Sequence, residues 1–306
     1  AGDKDAALEH YRAAVAESMK GEKGALLPKA HTSLGGALWE RGQNWLSAGD
    51  NEKALKDLQE ARAQYAIVGQ IHEKATCTAV AAEVLEKLQR PAEAAEGYLD
   101  AGNGFVQIGE YELARKYLAR VEILGPDLRA SALVLEALCD LRTTDLSPLK
   151  ELLEKGLAPV RAGDAPQARE TLQQAQLLAE RGGVDEADVL IGRALERLET
   201  GEGERAAADL VDALAAVRDA DNLNRARRRL EEAVSLDDAN VLAHKYLGDA
   251  LLRQGNGAAA IEHYLRVESL VPEKAGPYAD LGEAYLKSNL YSKAEEMLLE
   301  GLKRVG

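Results

Sequence analysis

The chain has 306 residues, of which 29% are charged and only 4% are aromatic, and its formal net charge at pH 7 is −14. This acidity argues against a nucleic-acid backbone as the main partner, because phosphate binding needs clustered positive charge, although acidic charge can equally serve solubility alone. The abundance of Ala, Leu, Glu and Arg, without alternating runs of β-branched residues, predicts an all-helical fold.

The sequence has few features that indicate a cellular location or a role for its cysteines. No run approaches the roughly 18 apolar residues of a membrane span, and the N-terminus lacks a basic-then-apolar signal segment. Cys77 and Cys139 are isolated and lack CxxC spacing, which favours buried thiols over a disulfide or a zinc site. We therefore expect a cytoplasmic protein without a membrane span. Because the first residue is Ala and the composition is typical of high-GC bacteria, we expect a piece of a larger bacterial protein.

The first segments read as long amphipathic helices. A helix is predicted over residues 5–20, followed by a glycine-flanked break at 21–24 and a long helix over residues 25–48. Gly35 and the small residue Ala54 are 19 residues apart, whereas the corresponding spacing near the C-terminus is 12. The first hairpin should therefore be about two turns longer per helix than the C-terminal hairpins.

The next helical pair is predicted over residues 71–89 and 92–108. Between residues 131 and 181 the spacing weakens, but small and apolar residues suggest one unit over residues 149–182. Another hairpin is predicted around residues 201–203.

Residues 222–236 form a predicted helix that has no obvious partner. Two explanations remain open at this point. Either an odd helix re-aligns two sub-arrays of repeats, or a loop is missing near residue 220.

The last segment contains an internal repeat. Gly248 and Gly282 are 34 residues apart, as are Ala260 and Ala294, and each copy reads as two amphipathic helices. Each copy is therefore a helical hairpin.

The anchors of both copies resemble those of the tetratricopeptide repeat (TPR), most clearly over residues 241–305. They are Leu247, Gly248, Leu251, Ala260, Tyr264 and Pro272 in the first copy, and Tyr278, Leu281, Gly282, Tyr285, Ala294 and Leu298 in the second. The resemblance implies an all-α, right-handed α-solenoid of TPR-like helical hairpins. It divides the chain into an N-terminal array with elongated hairpins (1–128), degenerate helical repeats (129–220) and a C-terminal TPR pair (221–306), in one continuous solenoid.

Two repeat frames compete in the first third of the chain. A frame over residues 95–128 matches the family at six anchors, which are Tyr98, Gly102, Phe105, Ala114, Leu118 and Pro126. The other frame pairs residues 71–89 with 92–108. We expect the two to be incompatible, because Tyr98 would have to serve both a first and a second helix, and the six matches favour the frame over residues 95–128.

A search for chemistry finds no catalytic motif, and we expect no catalytic residues, no metal and no cofactor. His244 and His263 belong to one hairpin and can approach each other, but no third metal ligand accompanies them. The basic cluster of Arg225, Arg227, Arg228 and Arg229 is expected to form ion pairs with Glu231 and Glu232 rather than to bind an acidic partner or a phosphate.

The resemblance implies a concave groove that is lined by the first helix of each hairpin and binds peptides or protein segments. Its candidate residues are Leu242, Lys245, Asp249, Leu252 and Arg253, then Glu283 and Lys287, then Leu99 and Asn103. Chaperone-binding members of the family hold a carboxylate with Lys and Asn. Here Asp249 replaces the Asn and Asp280 adds negative charge, so the groove should favour a mixed or basic partner. Trp39 is a further candidate contact, although a role in the core is favoured.

The expected function is therefore a non-catalytic scaffold or adaptor that docks a partner protein. The partner is either an extended peptide or a small Ras-like GTPase in localisation or motility control, the latter suggested by the family alone. A helical-repeat ligand sensor or enzyme is the alternative class. Self-assembly through Leu298, Leu299 and Leu302 is a further possibility, and the oligomeric state stays open.

Overall fold

The computed structural model describes residues 2–18, 27–142, 146–182, 184–219 and 222–304, and its regular structure there is helical without strands. In chain order the α-helices are α1 (Gly2–Ser18), α2 (Leu27–Ser47), α3 (Asn51–Ile67), α4 (Ile71–Lys87), α5 (Pro91–Gln107), α6 (Tyr111–Leu124), α7 (Arg129–Arg142), α8 (Ser147–Ala162), α9 (Ala165–Gly182), α10 (Asp185–Glu199), α11 (Gly203–Asp219), α12 (Asn222–Leu236), α13 (Val241–Arg253), α14 (Gly257–Leu270), α15 (Gly276–Lys287) and α16 (Tyr291–Leu302). One turn of 3₁₀ helix, Pro126–Leu128, precedes α7. The predicted all-α fold of TPR-like helical hairpins is confirmed.

The chain forms two compact units. The first consists of two separate stretches, Ala1–Cys139 and Arg229–Gly306, and the second of the intervening residues, Asp140–Arg228. The three-part division expected from the repeat spacing, at residues 128 and 220, stays a prediction. The break expected at residues 21–24 and the loop suspected near residue 220 lie outside the described residues.

The N-terminal helices of the first unit follow one another at a fixed interval. Turns with a positive φ occur at Gly49, Gly69, Gln89 and Gly109, that is, every 20 residues. Glycine adopts this left-handed conformation without steric cost, which explains three of the four. Each of the helices α2 to α5 contacts the next, so the array advances one helix at a time rather than one hairpin at a time.

Close helix packing sets the register of the hairpins. A Cβ atom added at Gly248 would lie 2.6 Å from the Tyr264 ring, and one added at Gly282 would lie 2.6 Å from Leu298. The same contact recurs between Gly156 and Leu172, at 2.9 Å. In each case the two residues are 16 positions apart. Only glycine allows this separation of the helices.

Helix α5 serves in two hairpins at once. A Cβ at Gly97 would lie 2.9 Å from Ala82 in α4, and a Cβ at Gly102 would lie 2.7 Å from Leu118 in α6. Tyr98, between them, is 2% exposed. The expectation that the two repeat frames exclude each other was wrong, because glycines on two faces of α5 let both neighbouring helices approach.

In the elongated hairpin α2–α3, a glycine again faces a side chain 16 positions later, but this glycine is not the one that the sequence spacing suggested. Gly42, not Gly35, faces the residue 16 positions later: its Cβ would lie 3.3 Å from Leu58, whereas Gly35 meets the ring of Tyr65. Helix α2 has 21 residues against 13 in α13, and α3 has 17 against 14 in α14. The extra length is therefore about two turns in α2 and about one turn in α3.

Helix α12, which has no partner in the sequence pattern, pairs with α7. Arg229 Nε lies 2.9 Å from Glu136 Oε2, and Arg129 Nη2 lies 2.5 Å from Glu232 Oε1. Residue numbers rise in one helix as they fall in the other, so the two helices are antiparallel. The sequence pattern shows no partner for α12 because that partner lies about 90 residues earlier in the chain.

The arginine cluster of α12 forms ion pairs, as expected, and two of these pairs are made with acids of another helix. Arg225 lies 3.7 Å from Asp140, a side chain that is 1% exposed, and Arg229 pairs with Glu136. Both acids belong to α7, a helix that the sequence did not suggest as a partner of this cluster. The buried acids of α7 attract the arginines because unpaired charge inside a protein is costly.

The second unit contains α8 to α11, in which each helix contacts the next and α11 also contacts α8. Its core contains Leu153, Leu172, Ile191 and Leu210, all of them fully buried. Buried Asp209 is held by Arg197 at 2.6 Å. These four helices therefore form a closed four-helix bundle.

Candidate partner-binding groove

An apolar cavity in the first unit brings together three of the predicted groove residues. It has a volume of about 360 Å³ and lies where α5, α7 and the start of α13 meet. Its lining consists of Glu96, Leu99, Asp100, Asn103, Ser131, Val134, Leu135, Asn240 and Leu242. We call this cavity the apolar pocket. The structure thus unites Leu99, Asn103 and Leu242, which are up to 143 positions apart in the sequence.

A second cavity adjoins the apolar pocket and shares Glu96 and Asp100 with it. It has a volume of about 410 Å³, and α3, α4 and α5 line it. Asp100 lies 3.2 Å from Lys74 and 3.9 Å from Arg62, so its charge is shared with two cations. We call the two cavities together the groove of the first unit.

Lys245 lies one turn beyond Leu242 on the same helix, and acids surround it. Its Nζ atom is 3.0 Å from Asp280 Oδ2 and 3.7 Å from Asp249 Oδ2. Burial alone would lower the pKa of Lys245, but the hydrogen bond to Asp280 and the charge of Asp249 outweigh it, so the pKa is raised. Lys245 therefore stays cationic and is already engaged by acids of the chain itself.

Asp249, one of the predicted partner contacts, also holds a side chain of its own hairpin in place. The hydroxyl of Tyr264 donates a hydrogen bond of 2.7 Å to Asp249 Oδ1. Burial, and then this bond, raise the pKa of Tyr264. Asp249 thus fixes the aromatic ring that packs on Gly248, in addition to carrying negative charge beside Lys245.

The other predicted contacts lie outside the apolar pocket. Leu252 is half-buried and Arg253 is exposed at the end of α13. Glu283 and Lys287, both exposed, pair with each other at 2.7 Å on α15. Trp39 is half-buried on α2, where it packs against the hydrophobic core of the first unit.

Sequence reasoning missed the contribution of α7. Ser131, Val134 and Leu135 line the apolar pocket, yet they belong to the stretch where repeat spacing is weakest. A usable signal was present in α12, where Ala226 and Leu230 are fully buried and four residues apart. Ala260 and Tyr264 have the same spacing in α14. This spacing indicates that α12 buries one face against another helix.

The two histidines of the α13–α14 hairpin meet, as anticipated. Their Nδ1 atoms are 3.0 Å apart, and His244 Nε2 is 3.1 Å from the carbonyl oxygen of Asp238. Because that carbonyl can only accept, Nε2 of His244 is the donor and its Nδ1 accepts from His263. Burial, and then the proximity of His244, lower the pKa of His263. Within the described ranges no group of three metal-ligating side chains accompanies the pair.

One family model matches part of the chain. Residues 216–280 match the family model described as Tetratricopeptide repeat, which confirms the resemblance for this segment. The matched segment contains α12, α13 and α14. No curated protein matches the chain.

Similar solved structures include the crystal structure of MamA protein, at 15% identity and a TM-score of 0.40, covering 88% of this chain and 91% of that chain. They also include the human IFIT1 dimer with PPP-AAAA, at 18% identity and a TM-score of 0.26, covering 96% of this chain and 71% of that chain. In the part of the chain that the structure describes, every helix is too short or too polar to cross a membrane.

Proposed function

We propose that the protein is a non-catalytic interaction scaffold and that a segment of a partner protein docks in the groove of the first unit. The observation that carries this proposal is the apolar pocket. Leu99, Leu135 and Leu242 leave apolar surface open to solvent there, between helices that tetratricopeptide repeats use for binding. Side chains from three separate helices converge on it, as in a preformed binding site.

A binding role accounts for the groove better than catalysis does. Of the two carboxylates that line the apolar pocket, Asp100 is already paired with Lys74 and Glu96 is exposed, and the other polar side chains of the lining are amides and a hydroxyl. A general base or a nucleophile needs a partner arranged to move a proton, and the lining side chains offer no such arrangement. The enzyme alternative therefore has no residue to support it within the described groove.

The shape of the groove favours one of the kinds of partner that tetratricopeptide repeats bind. The groove suits an extended segment because its two cavities lie in succession along α5 and share residues on that helix. No described residue favours a small Ras-like GTPase over another folded partner. We accordingly propose that the partner is an extended segment of another protein. The composition suggests that the chain is part of a larger bacterial scaffold.

An affinity capture experiment with the full chain tests the proposal. The variant Leu99→Asp/Leu242→Asp places two charges in the apolar pocket. The matched control is Leu265→Asp, which alters an exposed leucine of α14 that lines neither cavity. A partner retained by the wild type and the control, but lost by the double variant, supports docking in the groove. Retention of the same partner by all three proteins contradicts it.

A further inference from the structure

Two carboxylates lie at the rim of the apolar pocket, and the nearby cations Lys74 and Arg62 pair with only one of them, Asp100. Glu96 and Asp100 supply two carboxylates, and the other lining residues are polar and uncharged or apolar. Asp100 is paired with Lys74, at 3.2 Å. Glu96 is exposed, and its carboxylate makes no ion pair with any side chain in the described ranges. A positive charge at this rim therefore gains attraction without displacing an existing partner.

A second acidic region lies further along α13 and on α15. Lys245 is shared between Asp280 and Asp249, so two carboxylates meet one cation. Burial raises the pKa of Asp280, and the negative charges of Asp249 and Glu283 raise it further, against the opposing effect of Lys245. Negative charge is therefore in excess here. A partner carboxylate would be repelled, whereas a partner cation would relieve the repulsion.

The distance between the apolar pocket and the acidic region around Lys245 determines how far apart the contacting residues of a bound segment must be. Leu242 and Asp249 are seven positions apart on one face of α13. With a rise of 1.5 Å per residue this separation is about 10 Å along the helix. A strand-like segment rises about 3.3 Å per residue, so about three residues span it.

This inference rests on the proposed function: we propose that the apolar pocket, together with the acidic residues beyond it on α13 and α15, binds an extended, positively charged segment. The segment inserts a large apolar side chain into the apolar pocket and carries Lys or Arg about three residues away, beside Asp249 and Asp280. A further cation of the segment contacts Glu96 at the rim. The net charge of −14 on the chain favours such a partner over a second copy of the chain, because it steers cations and repels like charge.

Selection from a random 12-residue peptide library displayed on phage, with the immobilised full chain as bait, identifies the segment. We expect enriched sequences that share a large apolar residue and a Lys or Arg about three positions away. Binding of the best fluorescein-labelled peptide is then measured by anisotropy. Glu96→Lys and Glu283→Lys should each weaken it about tenfold, and added salt should weaken it for the wild type. The control Glu122→Lys reverses an exposed charge on α6, outside both cavities, and should change nothing.

The outcomes separate this inference from the proposed function. Enriched peptides that are acidic or lack a cation would overturn the inference while leaving docking in the groove intact. Unchanged affinity in Glu96→Lys and Glu283→Lys, with loss in Leu99→Asp/Leu242→Asp, would do the same. If no peptide is enriched over uncoated support, or if Leu99→Asp/Leu242→Asp binds as the wild type does, both fail. A complex containing two copies of the chain and no peptide would assign the groove to self-association and overturn the inference.

Discussion

Gly248 shows how a single missing side chain sets the distance between two helices. Three atoms of the Tyr264 ring lie within 3.0 Å of the place where a Cβ would be, and the Tyr264 hydroxyl is held by Asp249 at 2.7 Å. The ring therefore has little freedom to move aside, and the position tolerates only glycine.

We expect Gly248→Ala to lower the free energy of unfolding by about 1–3 kcal/mol, because overpacking outweighs the gain in helix propensity. Gly36→Ala is the control, since its Cβ would meet only the Tyr65 hydroxyl at an ordinary 3.8 Å. That variant should be neutral or more stable by up to about 1 kcal/mol, the helical preference of Ala over Gly. Urea unfolding measures both values, and equal effects at the two positions would contradict the packing argument.

The histidine pair predicts a pH dependence at the same scale. The pKa of His263 is lowered in the folded chain by burial and by His244, although Glu262 and Glu231 act in the opposite direction. The unfolded chain therefore takes up a proton first as the pH falls, and stability is lost as the pH drops below about 6.5, the ordinary pKa of histidine.

His263→Asn should reduce this loss, because it removes the titrating ring. The measurement is the difference in free energy of unfolding between pH 7.5 and pH 5.5, for the wild type and for the variant. The acidic residues of the chain titrate in both proteins, so the comparison isolates the histidine. An equal pH dependence in the two proteins would contradict the assignment.

At the scale of elements, the pairing of α7 with α12 depends on charges that are partly withdrawn from water. Glu136 has a side chain that is 10% exposed, and Arg229 lies 2.9 Å from it. Removing the cation alone leaves a buried carboxylate that has lost this partner, whereas removing both charges does not.

We expect Arg229→Met to cost about 1–3 kcal/mol of stability, and Glu136→Leu/Arg229→Met to cost less than the single change. The control is Lys155→Met, which breaks an ion pair with Glu151 whose two side chains are 64% and 65% exposed. It should cost about 0.5 kcal/mol or less. Thermal unfolding of the wild type and the three variants measures these differences in stability. A double variant that is less stable than Arg229→Met would show that the pair stabilises the fold outright.

At the scale of the whole molecule, the first unit is interrupted in sequence by the second. Helices α7 and α12 behave as the first and second helix of one repeat, and the four-helix bundle of α8 to α11 lies between them in the chain. Asp140 and Arg225, near the facing ends of α7 and α12, are 3.7 Å apart. A short turn can therefore join these two helices directly.

We expect a chain in which a short Gly/Asn turn replaces residues 143–221 to fold cooperatively, because most of the residues that remain belong to one compact unit. Residues 146–219 alone should form a stable helical bundle, since α11 closes on α8. Circular dichroism and thermal unfolding test both proteins. A chain lacking residues 222–236 is the control and should unfold, because α7 then loses its partner. Non-cooperative unfolding of the shortened chain would refute the split repeat.

The repeat was readable in the sequence wherever its two helices are adjacent in the chain. Gly248 with Ala260 and Tyr264, and Gly282 with Ala294 and Leu298, follow from local spacing, because the turn is short and the register fixes which residues meet. The acidic surroundings of Lys245 could also be predicted from the sequence, since helical periodicity places Asp249 on the same face of α13.

Only the tertiary structure decided what lies between distant parts of the chain. The partner of α12, the double role of α5 and the contribution of α7 to the apolar pocket all depend on contacts that local spacing does not encode. Periodicity identifies which face of a helix is buried, but it does not identify the helix that covers that face. In this protein four helices, α8 to α11, separate α12 from its partner α7 in the sequence. Local spacing therefore predicted the repeats, whereas the groove depends on contacts that form only in the folded chain.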